Sequence, residues 1–265
     1  MTAGTSDAAS KVARHPALTR LAKVGFASRG VLYLLMGVLA LGIAFGSTSQ
    51  KADKSGALHV VAATPFGAVL LWVMAIGLTA LTIWQLADAI AGGRGVKDRV
   101  ESVVRAVVYA LIVVSILGLL LAGKDAASTD AQSEDATAAI LDLPAGQLLV
   151  LLAAAGLAVL GVVWLVDGWR EKFMEDMYVS SPRMRRPVTV LGKGGYIARG
   201  IIAIIAAVFV GKAALDYDPD EAVGIDGALR ALTDAPAGRW LLAAVALGLI
   251  LFAGYCAAEA RWHRT

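Results

Sequence analysis

One cysteine, three histidines and little charge distinguish this 265-residue sequence before any motif is read. With Cys256 alone, no disulfide can form within the chain, and cysteine usage indicates no redox compartment. His15, His59 and His263 stand apart from one another and from any carboxylate cluster, so neither a metal site nor a cofactor is expected. Asp, Glu, Lys and Arg make up 17% of the chain, against about 25% in soluble domains. Hydrophobic residues make up 58%, and the mean hydropathy is +0.70. So few charges cannot coat a soluble surface around so much apolar side chain, and the apolar residues come in blocks. These shortages exclude a soluble globular enzyme and a disordered chain alike, and leave a membrane protein.

A helical span needs about 20 mostly apolar residues. Six stretches qualify: 26–46, 66–87, 103–122, 146–167, 196–214 and 239–259. Lipid offers the backbone no hydrogen bonds, so each is expected to be α-helical. Residues 1–17 are small and polar and read as a disordered cytoplasmic tail. The first apolar stretch recurs later in the chain, so it is expected to be retained rather than cleaved as a signal. Of the 24 basic residues only Lys51, Lys54, Lys124, Lys212, Arg230 and Arg239 fall on one side of the spans. The net charge of +3 is therefore a topology signal, and the positive-inside rule puts both termini in the cytoplasm.

The sequence repeats itself three times. Before each odd span a base stands six positions ahead of an arginine: Lys23 and Arg29, Arg99 and Arg105, Lys193 and Arg199. Tyr33 and Tyr109 follow the first two arginines by four positions, and Ala203 the third. Ahead of each even span comes Pro-x-Gly, at Pro65–Gly67, Pro144–Gly146 and Pro236–Gly238. Twelve residues past each proline is a glycine (Gly77, Gly156, Gly248), and twenty-three past it an acid (Asp88, Asp167, Glu259). An even number of spans per repeat keeps all three in one orientation, related by an axis along the membrane normal.

The expected fold is thus all-α and polytopic, with six transmembrane helices as three two-helix hairpins in pseudo-threefold symmetry. Repeat 1 covers 18–92, repeat 2 covers 93–172, a cytoplasmic linker 173–190, and repeat 3 covers 191–265. Short segments ahead of the prolines, with Ala57, Ala136 and Ala228 aligned, are expected on the outer face as interfacial helices or packed irregular loops. The acidic loops 124–142 and 216–234 read as solvated surface.

The block KVGFASRGVLYLLMGVLAL at 23–41, its echo KGGYIARGII at 193–202 and the two-helix repeat resemble the domain-of-unknown-function 1206 family of bacterial integral membrane proteins, from residue 18 to 262. The middle repeat departs from the pattern, with Ala106 where Gly30 and Gly200 stand. The resemblance implies a multi-pass protein of the bacterial cytoplasmic (inner) membrane and supplies no mechanism.

Arg29, Arg105 and Arg199 open the odd spans, and Asp88, Asp167 and Glu259 close the even ones, all at the cytoplasmic rim. Within one hairpin the arginine and the acid share a depth and are expected to pair, which offsets the cost of charge near lipid. The constellation reads as a ring of ion pairs that binds an anion or gates the rim, or as structural ties between helices. The ties are preferred unless an arginine points into the bundle. Trp84, Trp164 and Tyr255, just ahead of the acids, read as interfacial aromatics. Thr79, Thr82 and Gln85 form a polar stripe that reads as packing. Lys23, Arg99, Lys193, Arg183, Arg185 and Arg186 are candidate contacts to lipid headgroups. The last three lie in the connection 169–195, which also carries Trp169, Phe173, Met174, Met177 and Tyr178.

No catalytic residue is assigned, and an enzyme is not expected. The expected function is a noncatalytic scaffold, accessory subunit or lipid-binding module. Its partners would be the bilayer, anionic lipid or another membrane protein, and not nucleic acid. A small-solute or ion transporter or channel built from three parallel repeats is the alternative.

Overall fold

The computed structural model describes residues 16–48, 50–91, 96–122, 127–175, 177–179 and 181–262. Its helices are α1 (Pro16–Ala44), α2 (Lys54–Ala62), α3 (Gly67–Ala91), α4 (Val96–Ala122), α5 (Thr129–Leu141), α6 (Gly146–Arg170), α7 (Pro182–Asp216), α8 (Ile225–Ala231) and α9 (Gly238–Trp262). Six segments are long and apolar enough to cross a membrane: Arg20–Ala44, Gly67–Ala87, Ser102–Leu121, Gly146–Arg170, Pro182–Asp216 and Gly238–Trp262. They leave large apolar side chains exposed, among them Val38, Ile76, Val107, Leu152, Val208 and Leu247. Lipid is the solvent that such a surface suits. The tail over residues 1–15 lies outside the described residues.

The helices α1, α4 and α7 begin well ahead of their apolar stretches because the basic flanks stay helical. In α7 the fixed φ of Pro182 starts the helix at a position where its missing N–H costs nothing. Residues 182–190 of the expected linker are therefore helix.

Contacts divide the chain into two compact units. The first holds residues 1–31, 61–126 and 256–265. In it α3 packs along α4, and α1 meets α3 at Gly25 and Gly77. A Cβ on either glycine would strike the other's backbone. Beside this contact Phe26 and Trp84 pack edge to face, 6.2 Å between centroids. The second unit holds residues 32–60 and 127–255. There α6 packs along α7, closest where Gly161 and Gly200 face each other. Gly248 of α9 lies against Gly194 and Ala198 of α7. Small residues let helix backbones approach where lipid gives no hydrophobic drive.

The three Pro-x-Gly motifs share one hydrogen bond. In each, the glycine N–H donates to the residue before the proline: Gly67 to Thr64 (2.9 Å), Gly146 to Leu143 (2.8 Å) and Gly238 to Ala235 (2.8 Å). Proline presets φ at the second position of such a turn, and in two of them the next residue takes a positive φ, 61° at Ala145 and 58° at Ala237. The turn folds each long helix onto the end of the short one before it. A Cβ on the glycine would collide with carbonyls six and five residues back: Val61 and Ala62, Ile140 and Leu141, Leu232 and Thr233.

The short segments ahead of these turns are helices α2, α5 and α8 rather than irregular loops. They are solvated only in part. Asp53, Ala57, Leu58, Ser128, Thr137, Asp226, Ala228 and Leu229 are all buried, which corrects the reading of the outer loops at those positions. Asp135, Asp142, Asp216, Asp218, Asp220 and Asp234 are exposed, as the reading of a solvated acidic surface expects.

Candidate functional site

In the first unit Arg29 lies thirteen residues past the start of α1, not in its first turn. It is only 9% exposed. Its Nη1 donates to the Tyr109 hydroxyl at 2.6 Å, its Nε to Cys256 Sγ at 3.2 Å, and its Nη2 to the Glu259 carboxylate. The Phe26 ring sits 5.3 Å from the cation. Arg29 thus pairs with the acid of the third repeat, which corrects the expectation of pairing within one hairpin. Equal depth allows a pair, but the helix end that faces the guanidinium decides it, and that end belongs to α9. Arg105 is half-buried on α4, and the side chain of Asp88 lies outside the described residues.

In the second unit Arg199 has different company. Its guanidinium lies 3.9 Å from the Trp164 ring centre, 4.6 Å from Phe252, and 5.7 Å from both Tyr33 and Tyr196. Among the described residues it makes no ion pair. Glu259 is taken by Arg29, and Asp167 faces Lys172 at 3.7 Å. The expected Arg199–Glu259 pair is therefore absent.

The two arginines nevertheless draw on matching positions. Cys256 stands three residues before Glu259, and Trp164 three before Asp167. Tyr109 follows Arg105 by four residues, and Tyr33 follows Arg29 by four. Each arginine so meets the even helix of the preceding repeat and the tyrosine of the following one, counting cyclically.

At the other end of the second unit, three carboxylates link the short helices. Asp53 accepts from the Thr129 backbone N–H (2.7 Å) and hydroxyl (3.1 Å), as well as from Ser55 and Gly56. Asp130 accepts from the N–H groups of Gly224 (2.6 Å) and Gly227 (3.1 Å). Asp226 accepts from the N–H of Ala52 (2.7 Å) and pairs with Arg230 at 2.8 Å. The links run from the first repeat to the second, the second to the third, and the third back to the first. Burial pushes the Asp53 carboxyl up, but these hydrogen bonds outweigh it and hold the group below the ordinary carboxylate range. Sequence reasoning missed this circuit. Its signal was an acid near the start of each short helix, where a side-chain oxygen can accept from free N–H groups.

Lys54, beside Asp53, is partly buried, and its pKa is pushed down to about 8. Burial is the main cause, and the positive charge of Arg199 is the next.

Of the candidate headgroup contacts, Lys23, Arg99, Arg183, Arg185 and Arg186 are exposed. Lys193 pairs with Glu171 at 3.6 Å and lies 5.0 Å from the Trp169 ring centre. The connection 169–195 is partly docked rather than free. Phe173 is buried, stacks on Tyr196 at 5.1 Å and meets Tyr255 at 5.2 Å, and Gly192 leaves room for its ring. Trp84 and Tyr255 are buried within the protein too. The hydroxyls of Thr79, Thr82 and Ser115 donate to carbonyls one turn back in their own helices, as packing residues do.

The model of the family described as Domain of Unknown Function (DUF1206) matches the chain three times, over residues 24–92, 100–171 and 194–263. The three matches follow the three repeats. The chain is also 33% identical over 251 residues to the "Uncharacterized protein YxxB" of Bacillus subtilis (strain 168), covering 91% of this chain and 89% of that one. No solved structure matches it. An all-helical chain with six apolar spans and a three-times repeated match is a multi-pass membrane protein, and it belongs to the DUF1206 family.

Proposed function

We propose that the chain is a noncatalytic binding module of the bacterial cytoplasmic membrane, with both termini in the cytoplasm. Its three two-helix repeats all insert in one orientation, as an even number of spans per repeat requires. The observation that carries this reading is the circuit of Asp53, Asp130 and Asp226, in which each repeat holds the backbone of the next. Transport by alternating access moves one repeat or bundle against another, and a closed circuit of hydrogen-bonded carboxylates resists that motion. The matching surroundings of Arg29 and Arg199 support the cyclic arrangement. The exposed Arg183, Arg185 and Arg186 suit anionic headgroups.

The test is native mass spectrometry of the protein gently solubilised from its own membrane, with flux assays in liposomes alongside. A stoichiometric partner protein or a retained anionic lipid is expected. Saturable movement of a solute across the liposome membrane would sink the reading and establish the transporter alternative.

A further inference from the structure

Arg199 stands at the midpoint of α7, far along the helix from either end. Rings cover its guanidinium, but a ring accepts no conventional hydrogen bond, and arginine carries five N–H donors. Among the described residues Arg199 makes neither a hydrogen bond nor an ion pair. Arg199 is half-buried rather than sealed in, so its donors stay open to a ligand that can accept from them.

A second cation lies close enough to feel the charge of Arg199. Two residues past Lys54, Gly56 lies against Leu39 of α1, where a Cβ would come within 3.4 Å of Leu39 Cδ1. Tyr33 of the same helix lies against Arg199. Six residues separate Tyr33 from Leu39, about 9 Å along a helix, a gap that a lysine side chain largely spans. Lys54 also makes no hydrogen bond or ion pair among the described residues. Its lowered pKa, about 8, is what burial near another uncompensated cation produces.

We propose that the second unit binds a phosphate group between Lys54 and Arg199. A tetrahedral oxyanion presents enough oxygens to take the planar fork of the arginine on one side and the ammonium on the other. The aromatic rings hold the guanidinium in place by cation–π contact and keep it from turning away. The proposal deepens the binding-module reading by naming the ligand chemistry, and rests on it. The phosphate belongs either to a free anion or to the headgroup of an anionic lipid.

The full chain, in nanodiscs of zwitterionic lipid, is titrated with sodium phosphate at constant ionic strength, with sodium chloride as control and thermal unfolding as readout. A saturable rise in Tm is expected for the wild type. Arg199→Gln should abolish it, and Lys54→Gln should weaken the apparent affinity at least tenfold. Lys54→Gln removes the charge of a partly buried side chain, and its Tm without phosphate is the control for folding, so that a weaker response reads binding. A second arm replaces inorganic phosphate with nanodiscs containing phosphatidylglycerol. Stabilisation there, and not by the free anion, assigns the phosphate to lipid, and the reverse result assigns it to a soluble ion. A wild type that responds to neither, or a response that both variants keep, overturns the proposal. Phosphate flux into liposomes would leave this site standing while overturning the static-module reading. A stoichiometric partner with no phosphate response would do the opposite.

Discussion

Arg29 and Glu259 are both buried and bonded to each other, so removing one strands the other in a medium that cannot solvate it. Breaking such a pair costs about 3–5 kcal/mol. Arg29→Leu or Glu259→Leu alone should lower Tm sharply in detergent, while the double substitution should recover much of the loss. Equal and additive losses would mean that the residues do not act as partners.

Lys54 and Asp53, neighbours in sequence, both make stability rise with pH, in two separate windows. Lys54 has a folded pKa of about 8 against an ordinary 10.5, so the folded state binds fewer protons between those values. Stability from this residue therefore rises as pH climbs from about 8 toward 10.5, and the rise should vanish in Lys54→Met. For Asp53 the folded value lies below the ordinary 3.8, so its contribution is present above that pH and is lost as pH falls through the folded value. An Asp53→Asn variant should flatten this acid limb of a stability–pH curve measured by denaturation.

Helix pairs are set by glycine, and not every aligned glycine does the same work. A Cβ on Gly146 or Gly238 meets backbone carbonyls, which cannot yield as a flexible side chain can. Gly146→Ala and Gly238→Ala should each cost about 1–3 kcal/mol, the usual range for overpacking. Gly156 has nothing within 4 Å, and Gly156→Ala should be neutral or raise Tm slightly through helix propensity. A large loss at Gly156 would show that another chain packs on that face.

At this scale most of the architecture was legible. Apolar length marked the six spans, and the offsets from Arg29, Pro65 and Asp88 marked the repeat, because both survive as spacing in the sequence. The partner of Arg29 was not legible, since shared depth leaves open which of several helix ends faces a side chain. Nor was the burial of Asp53 and Asp226. A carboxylate that accepts backbone N–H bonds is written with the same letter as one that faces water.

At the scale of the whole molecule, the carboxylate circuit should behave as a unit. Opening it at Asp130 leaves the Gly224 and Gly227 N–H groups unpaired and loosens the start of α8. If the circuit is cooperative, Asp53→Ala combined with Asp226→Ala should cost less than the two losses added together, read as thermal unfolding of the full chain. Strict additivity would reduce the circuit to three separate caps.

The bond between Arg29 and Glu259 joins residues 230 positions apart. At about 5–20 residues per second, translation places them roughly 12–46 seconds apart. Throughout that interval the first helix carries a guanidinium whose carboxylate has not yet been made. The nascent first span must rest where headgroups or water can serve the charge, and it can settle into the bundle only after α9 arrives. Biogenesis would then run against the order of synthesis, with the earliest helix among the last to be seated.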